Sequence, residues 1–177
     1  MSETSKLHKK SSPDSATVYI VTCSTSKFKQ LRAKQQPSDE SGDIIEQLAA
    51  SAGHRIAGRR LISDSKPLIR KATRDALSNR DVDVVIITGG TGLSSTDVTF
   101  EAIFPLLDQE IPGFGELFRK ISFDEIGSAA MMSRAFAGMI KRRAIFCLPG
   151  SPNAVKTAME KLILPELGHL LGLARGP

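Results

Sequence analysis

Residues 88–92 read "TGGTG": after a run of β-branched residues, three of the four positions from 89 to 92 are glycine, and Asp97 follows in "SSTDVT". Without a Cβ, Gly89, Gly90 and Gly92 can adopt positive φ and let a ligand lie against backbone N–H groups. Several such groups aimed one way make an anion site, and a helix starting behind them adds its positive end. Thr88, Thr91 and Ser94 supply hydroxyls at the same place. No lysine follows the last glycine as in a P-loop, and the spacing is not GxGxxG. Phosphate charge held here therefore needs another source of neutralisation. A carboxylate such as Asp97 repels phosphate unless a Mg²⁺ ion sits between them. Two plainer readings stay open: a tight strand-to-helix turn, and Asp97 as a helix N-cap before Val98. Thr99 is a further candidate cap, and Glu101 stands where an acidic residue favours a helix's first turn.

"CLPGSPNAV", residues 147–155, repeats the pattern. A strand ends at Leu148, Pro149-Gly150 turns the chain, Ser151 can cap, and Pro152 and Ala154 open a helix. Ordinary capping is the alternative to a binding role. A third strand runs up to Asp64. Ligands of open α/β sheets bind at the carboxyl ends of strands, so three such ends on one sheet edge form a candidate site.

Strands and helices alternate along the chain. "TVYIVTCS" (17–24) and "DVDVVIIT" (81–88) read as buried strands, and "RIAGRRLIS" (55–63) and "RRAIFCLP" (142–149) as further strands. Helices are expected at 43–54, at 66–78 with Pro67 at its start, at 98–108 bent or divided at Pro105, and at 113–127. Residues 151–172 read as a last helix broken near Pro165, and 128–140 as helix then strand. The polar 27–42 segment reads as a loop. Residues 1–16 read as a disordered Ser/Lys-rich tail. The fold class that follows is a three-layer α/β/α domain, residues 17–177, on a mostly parallel sheet.

At 177 residues, 41% of them hydrophobic, the chain can bury a sizeable single core. It lacks an apolar run near the roughly 20 residues of a membrane span, and its start lacks a signal-peptide core, so a cytoplasmic protein is expected. Cys23 and Cys147 lie far apart in apolar stretches and read as buried free thiols. The three histidines are scattered without ligand spacing. A net charge of +5 suggests a nucleic acid, but aromatics are only 5% and no recognition motif is present. A small polyanionic substrate suits that charge better.

"TGGTGLSSTDVTFEA" is similar to the TGGTG-x4-DVT-x-EA signature of the MoaB/MogA family of molybdenum-cofactor biosynthesis proteins. "IPGFGELFR" (111–119), "SRAFAG" (133–138) and "PGSPNAV" (149–155) fall in the family's order, and the match covers about 17–172. Phe100 stands where many members have proline. The resemblance implies a molybdopterin-binding-domain-like fold and a nucleotidyltransferase that adenylylates molybdopterin with MgATP, releasing pyrophosphate.

By position, Asp64 and Asp97 match the family's two functional aspartates and are assigned to catalysis and to holding Mg²⁺–ATP. Thr88, Gly89, Gly90, Thr91, Gly92 and Ser94 would cradle phosphates. Pro149, Gly150, Ser151, Pro152 and Ala154 would border the pterin pocket, and Glu101 would orient the loop or the metal's water shell. Asp39, Ser41 and Gly42 resemble the family's D-x-SG stretch near the entrance. Homo-trimers or homo-hexamers and a downstream molybdate-insertion (or tungstate-insertion) protein are implied, with neither a specific nucleic acid nor a membrane as partner. The rival readings are a non-catalytic molybdopterin-binding scaffold of the same fold, and another nucleotide reaction as in the related CinA-type domain. The apolar segments "AAMMSRAFAGMI" and "LILPELGHLLGL" are either core or interface.

Overall fold

The structure, a computed structural model, describes residues 13–176. Six strands form one sheet: β1 (Thr17–Cys23), β2 (Arg55–Ile62), β3 (Val84–Thr88), β4 (Gln109–Glu110), β5 (Phe136–Ile140) and β6 (Arg143–Leu148). Their order is β2-β1-β3-β6-β5-β4. β2, β1, β3 and β6 are parallel, β5 runs antiparallel to β6, and β4 antiparallel to β5. All five residues of β3 are buried, as a Val/Ile run covered on both faces requires. After β1 the chain steps to one side for β2, then returns past β1 to lay down β3 on the other. The loops after β1 and β3 therefore part company, which opens a crevice at the strand ends.

Helices cover both faces, giving the three-layer α/β/α architecture read from the alternation of elements. They are α1 (Thr25–Arg32), α2 (Glu40–Ser51), α3 (Lys66–Ser78), α4 (Thr99–Ile103), α5 (Pro112–Ile126), α6 (Pro152–Ala158) and α7 (Leu164–Arg175). Ile45 of α2, Phe114 and Phe118 of α5, Val155 of α6 and Leu167 of α7 pack with Val18, Ile20, Val84 and Ile86 on one face. Ile69, Ala72 and Ala76 of α3 and Ile103 of α4 pack with Val21, Val85, Ile87 and Ile145 on the other. Each strand sends alternate residues to opposite layers, so the period-two rule divides one apolar run between two cores.

Three segments differ from expectation. The stretch read as a loop holds α1 and the first turn of α2. Ser24 caps α1, its hydroxyl accepting from the Lys27 N–H, and the residues that follow include good helix formers. α1 buries no residue, so it carries no apolar period to detect. The helix expected at 98–108 stops at Ile103, passes through a 3₁₀ turn at Phe104–Leu106 containing Pro105, and ends in the edge strand β4. The last helix is not broken at Pro165. A π-helical turn at Met159–Ile163 widens the helix just before the proline, and the helical path continues to Arg175.

Of the expected tail, residues 1–12 lie outside the described residues. Residues just after them already join the fold: Ala16 is buried and its N–H donates to His54 Nδ1 at 3.2 Å. Both cysteines are buried and free. Among the described residues, no helix is long and apolar enough to cross a membrane.

Candidate active site

A cleft of about 620 Å³ opens over the carboxyl ends of β1, β2, β3 and β6. Its walls are Thr22–Lys27 after β1, Asp64 after β2, Thr88–Gly92 and Asp97 after β3, Pro149–Ser151 after β6, and Ser41 from α2. A larger hollow of about 870 Å³ lies beside β4 and α7, but none of the chemical groups singled out above line it. The smaller cleft is the candidate.

The glycine loop is built by close backbone approach. Gly89 and Gly90 have φ of +99° and +66°, a region that residues bearing a Cβ avoid. The Gly89 N–H donates to the Leu148 carbonyl at 3.0 Å, and its carbonyl accepts from the Thr99 hydroxyl at 2.8 Å. The Thr88 hydroxyl donates to the Pro149 carbonyl and the Ser41 hydroxyl to the Gly150 carbonyl, both at 2.8 Å. These bonds lock the two turns side by side. A Cβ on Gly89 would overlap the Cys23 carbonyl oxygen. Gly89→Ala is therefore expected to destabilise the fold by about 3 kcal/mol or more, from strained φ plus overpacking, read as a lowered urea midpoint. Gly53→Ala is the control: its φ is also positive, but a Cβ there meets nothing within 4 Å.

Both aspartates face this loop. Asp64 Oδ2 accepts from the Thr25 N–H at 2.7 Å and the Thr25 hydroxyl at 2.8 Å. Its other oxygen, Oδ1, would lie 3.3 Å from a Cβ on Gly90. Asp97 does not cap α4, whose N-cap is Val98; its Oδ2 accepts instead from the Ser94 N–H at 3.0 Å. That oxygen would lie 2.7 Å from a Cβ on Gly92, so this glycine is what lets the carboxylate lean on the loop. Neither carboxylate is ion-paired among the described residues. Ser151 occupies the N-cap position of α6 without a side-chain capping bond. Cys23 also lines the cleft, but burial pushes its thiol up to about 12, with the Asp64 charge adding to the shift against a hydrogen bond from Thr99. It is no thiolate nucleophile.

Of the residues singled out from the sequence, Pro152, Ala154, Ser94 and Glu101 do not form the cleft's walls, and in the D-x-SG stretch only Ser41 does. Pro152 begins α6, and Ala154 lines a smaller hollow of about 170 Å³ that shares Thr91, Gly92, Pro149 and Ser151 with the cleft. The Ser94 hydroxyl pairs with Thr96. Glu101 pairs with Arg134, whose hydrogen bond holds that carboxyl below its usual range against partial desolvation. Arg134 is the residue that motif reading passed over. Its Nε donates to the Gly92 carbonyl at 2.8 Å and Nη2 to the Asp97 carbonyl at 3.0 Å, and its own N–H donates to the Thr91 carbonyl at 3.1 Å. The guanidinium lies 5.3 Å from the Phe100 ring centroid. One side chain thus gathers the outward carbonyls of the loop; because a trans peptide sets C=O and N–H on opposite sides, the amides of Gly92 and Leu93 turn the other way.

The profile of the probable molybdopterin binding domain family matches residues 19–169. The chain belongs to the MoaB/MogA family. It is 46% identical to molybdenum cofactor biosynthesis protein B of Bacillus cereus, over 92% of this chain and 93% of that protein. A crystal structure of a molybdenum cofactor biosynthesis protein B, 44% identical, superposes with a TM-score of 0.85 over 92% of this chain and 98% of the other. The tungsten cofactor synthesizing protein MoaB from Pyrococcus furiosus, 36% identical, gives 0.82 over 93% and 99%.

The other MoaB/MogA motifs pack around the same loop and cleft. "SRAFAG" carries Arg134, and "IPGFGELFR" opens α5 beneath it, where Arg119 Nη1 donates to the Ser133 carbonyl at 3.4 Å. In the D-x-SG stretch, Asp39 caps α2 by accepting from the Gly42 N–H, while its other oxygen accepts from the Thr22 hydroxyl at 2.8 Å and from Arg59. Burial pushes the Asp39 carboxyl up, but the bonds from Arg59 and Thr22 outweigh it, and the net shift is downward. A depressed carboxylate contributes stability that is complete above the unfolded value of about 3.9 and lost as pH falls through the lower folded value. Wild type is thus expected to lose more stability than Asp39→Asn between pH 5 and pH 2, measured by urea titration at each pH.

Proposed function

We propose that this MoaB/MogA protein is a Mg²⁺-dependent nucleotidyltransferase that adenylylates molybdopterin with ATP and releases pyrophosphate. The observation that carries the reading is that two carboxylates, free of ion pairs among the described residues, share one cleft with a glycine loop whose outward carbonyls are already bonded. Loop amides on the other side of those peptides then hold phosphate oxygens without rearranging, which is where most catalysis of phosphoryl-type displacement originates. The terminal phosphate oxygen of molybdopterin attacks the α-phosphorus of ATP, the bond to the β-phosphate oxygen breaks, and pyrophosphate departs with that electron pair.

Asp64 and Asp97 would hold Mg²⁺. Among the described residues no three acidic, His or Cys side chains cluster into a metal cage. Mg²⁺ suits such a site, because it usually takes one or two carboxylates and completes its shell with phosphate oxygens and water. When bound, it withdraws charge from the phosphates and lets carboxylates stand beside them. The Thr25 bonds fix Asp64 at one oxygen and leave the other for this task. Ser151 and the adjoining small hollow would border the pterin.

Purified protein incubated with molybdopterin, ATP and Mg²⁺ is expected to yield adenylylated pterin and one pyrophosphate per turnover. Saturable pterin binding without AMP transfer would instead make it a molybdopterin-binding scaffold. The exposed apolar side chains Phe123, Ile126, Met131 and Met132, at the end of α5 and the 3₁₀ turn after it, suit a face that meets further copies in a trimer or hexamer. A molar mass equal to one chain in solution would remove that part of the reading.

A further inference from the structure

Two carboxylates line the cleft, and Lys27 is the one cation that does so among the described residues. Its ammonium has neither an ion-pair nor a hydrogen-bond partner among them, although most other cations near the site are engaged: Arg59 by Asp39, Asp43 and Glu46, and Arg134 by Glu101 and two carbonyls. Lys27 also stands in the first turn of α1, where the helix dipole disfavours a cation, and that turn holds no acidic residue. Among the described residues no carboxylate pairs with a lysine there. A bound polyanion would.

We infer that Lys27 is the cationic ligand for the nucleotide's phosphate chain, reaching into the cleft from the turn that follows β1. The inference rests on the reading of this cleft as a nucleotide site. The charge balance requires such a group: Asp64 and Asp97 together cancel the charge of one divalent ion, so the phosphates' own charge is left to the loop amides and Lys27. A flexible stem ending in a compact charge can follow the β- and γ-phosphates as they become a leaving group. It does the work of a P-loop lysine from a different strand end.

The test is calorimetric titration of MgATP, and separately of inorganic pyrophosphate, into full-length wild type, Lys27→Met and Lys27→Arg. Lys27→Met is expected to weaken both ligands about 10- to 100-fold, as loss of a charge-assisted bond does, with the gap narrowing at high salt. Its thermal midpoint stays at or above that of wild type, and Lys27→Arg recovers most of the affinity. Equal affinities in Lys27→Met and wild type would overturn the inference whatever the transfer assay shows. If wild type binds both ligands, Lys27→Met loses them, and neither protein transfers AMP, only the transferase reading falls. Absence of any binding by wild type overturns both.

Discussion

Asp64→Asn and Asp97→Asn are each expected to lower the rate of AMP transfer about 10³-fold while leaving the fold in place. Asparagine keeps the shape and one acceptor oxygen. The Thr25 pair can still bond to residue 64, and the Ser94 N–H to residue 97. What disappears is the charge on the second oxygen, the one free to meet a cation. Thermal midpoints should move by no more than about 4 °C, the shift that roughly 1 kcal/mol produces in a domain of this size. Raising Mg²⁺ should recover part of the rate in either single variant. The double variant should be scarcely slower than the worse single one, because groups that act on one ion do not add. Undiminished turnover in both single variants, with rates taken at saturating MgATP, would contradict the assignment.

Arg134→Ala is expected to damage both stability and activity. Removing the guanidinium leaves the carbonyls of Gly92 and Asp97 without their donor and Glu101 without its counter-ion. Glu101 already has one buried oxygen, Oε2, that lacks a hydrogen-bond partner, so it tolerates the loss poorly. Because both side chains are partly exposed, the loss is about 2–3 kcal/mol, or roughly 5–10 °C in midpoint. kcat/KM should fall about 100-fold as the loop amides lose their alignment. Arg134→Lys should rescue little, since an ammonium cannot reproduce a planar fork that serves three acceptors and stacks on Phe100. Adding Glu101→Gln to Arg134→Ala should return part of the stability and none of the activity. A variant that is destabilised yet fully active at low temperature would reduce Arg134 to a structural role.

Motifs that combine glycine, a hydroxyl and a carboxylate at a strand end were legible before any coordinates, because their residue types are tied to one backbone geometry. The parallel core was legible for the same kind of reason: "DVDVVIIT" has no other stable environment than between two apolar layers. Arg134 was not. It lies 42 residues beyond the carbonyl of Gly92 that it holds, and nothing in its own neighbourhood marks it as a clamp. Glu101 could then only be read as a helix or metal-shell residue, since its partner was unknown. α1 escaped because it buries no residue fully and so carries no apolar period, and Lys27 near its start was read as part of a polar loop. The π-turn before Pro165 depends on how Met159 and Ile163 seat in the core, a tertiary matter that a local pattern does not encode.

The placing of β6 next to β3 also governs when this pocket can first exist. One of its walls, Pro149–Ser151, follows the strand that enters the sheet last, some sixty residues after the glycine loop it abuts. A ribosome-bound chain that has exposed residues up to Asp97 carries both aspartates and every loop glycine, yet has no enclosed pocket. Until residues 143–151 emerge, β3 presents a bare, apolar flank open to wrong pairing. Such distant parallel pairing also slows folding. Competence for the substrate therefore arrives in one late event, and a chain cut short before β6 should be recognised by chaperones sooner than by nucleotide.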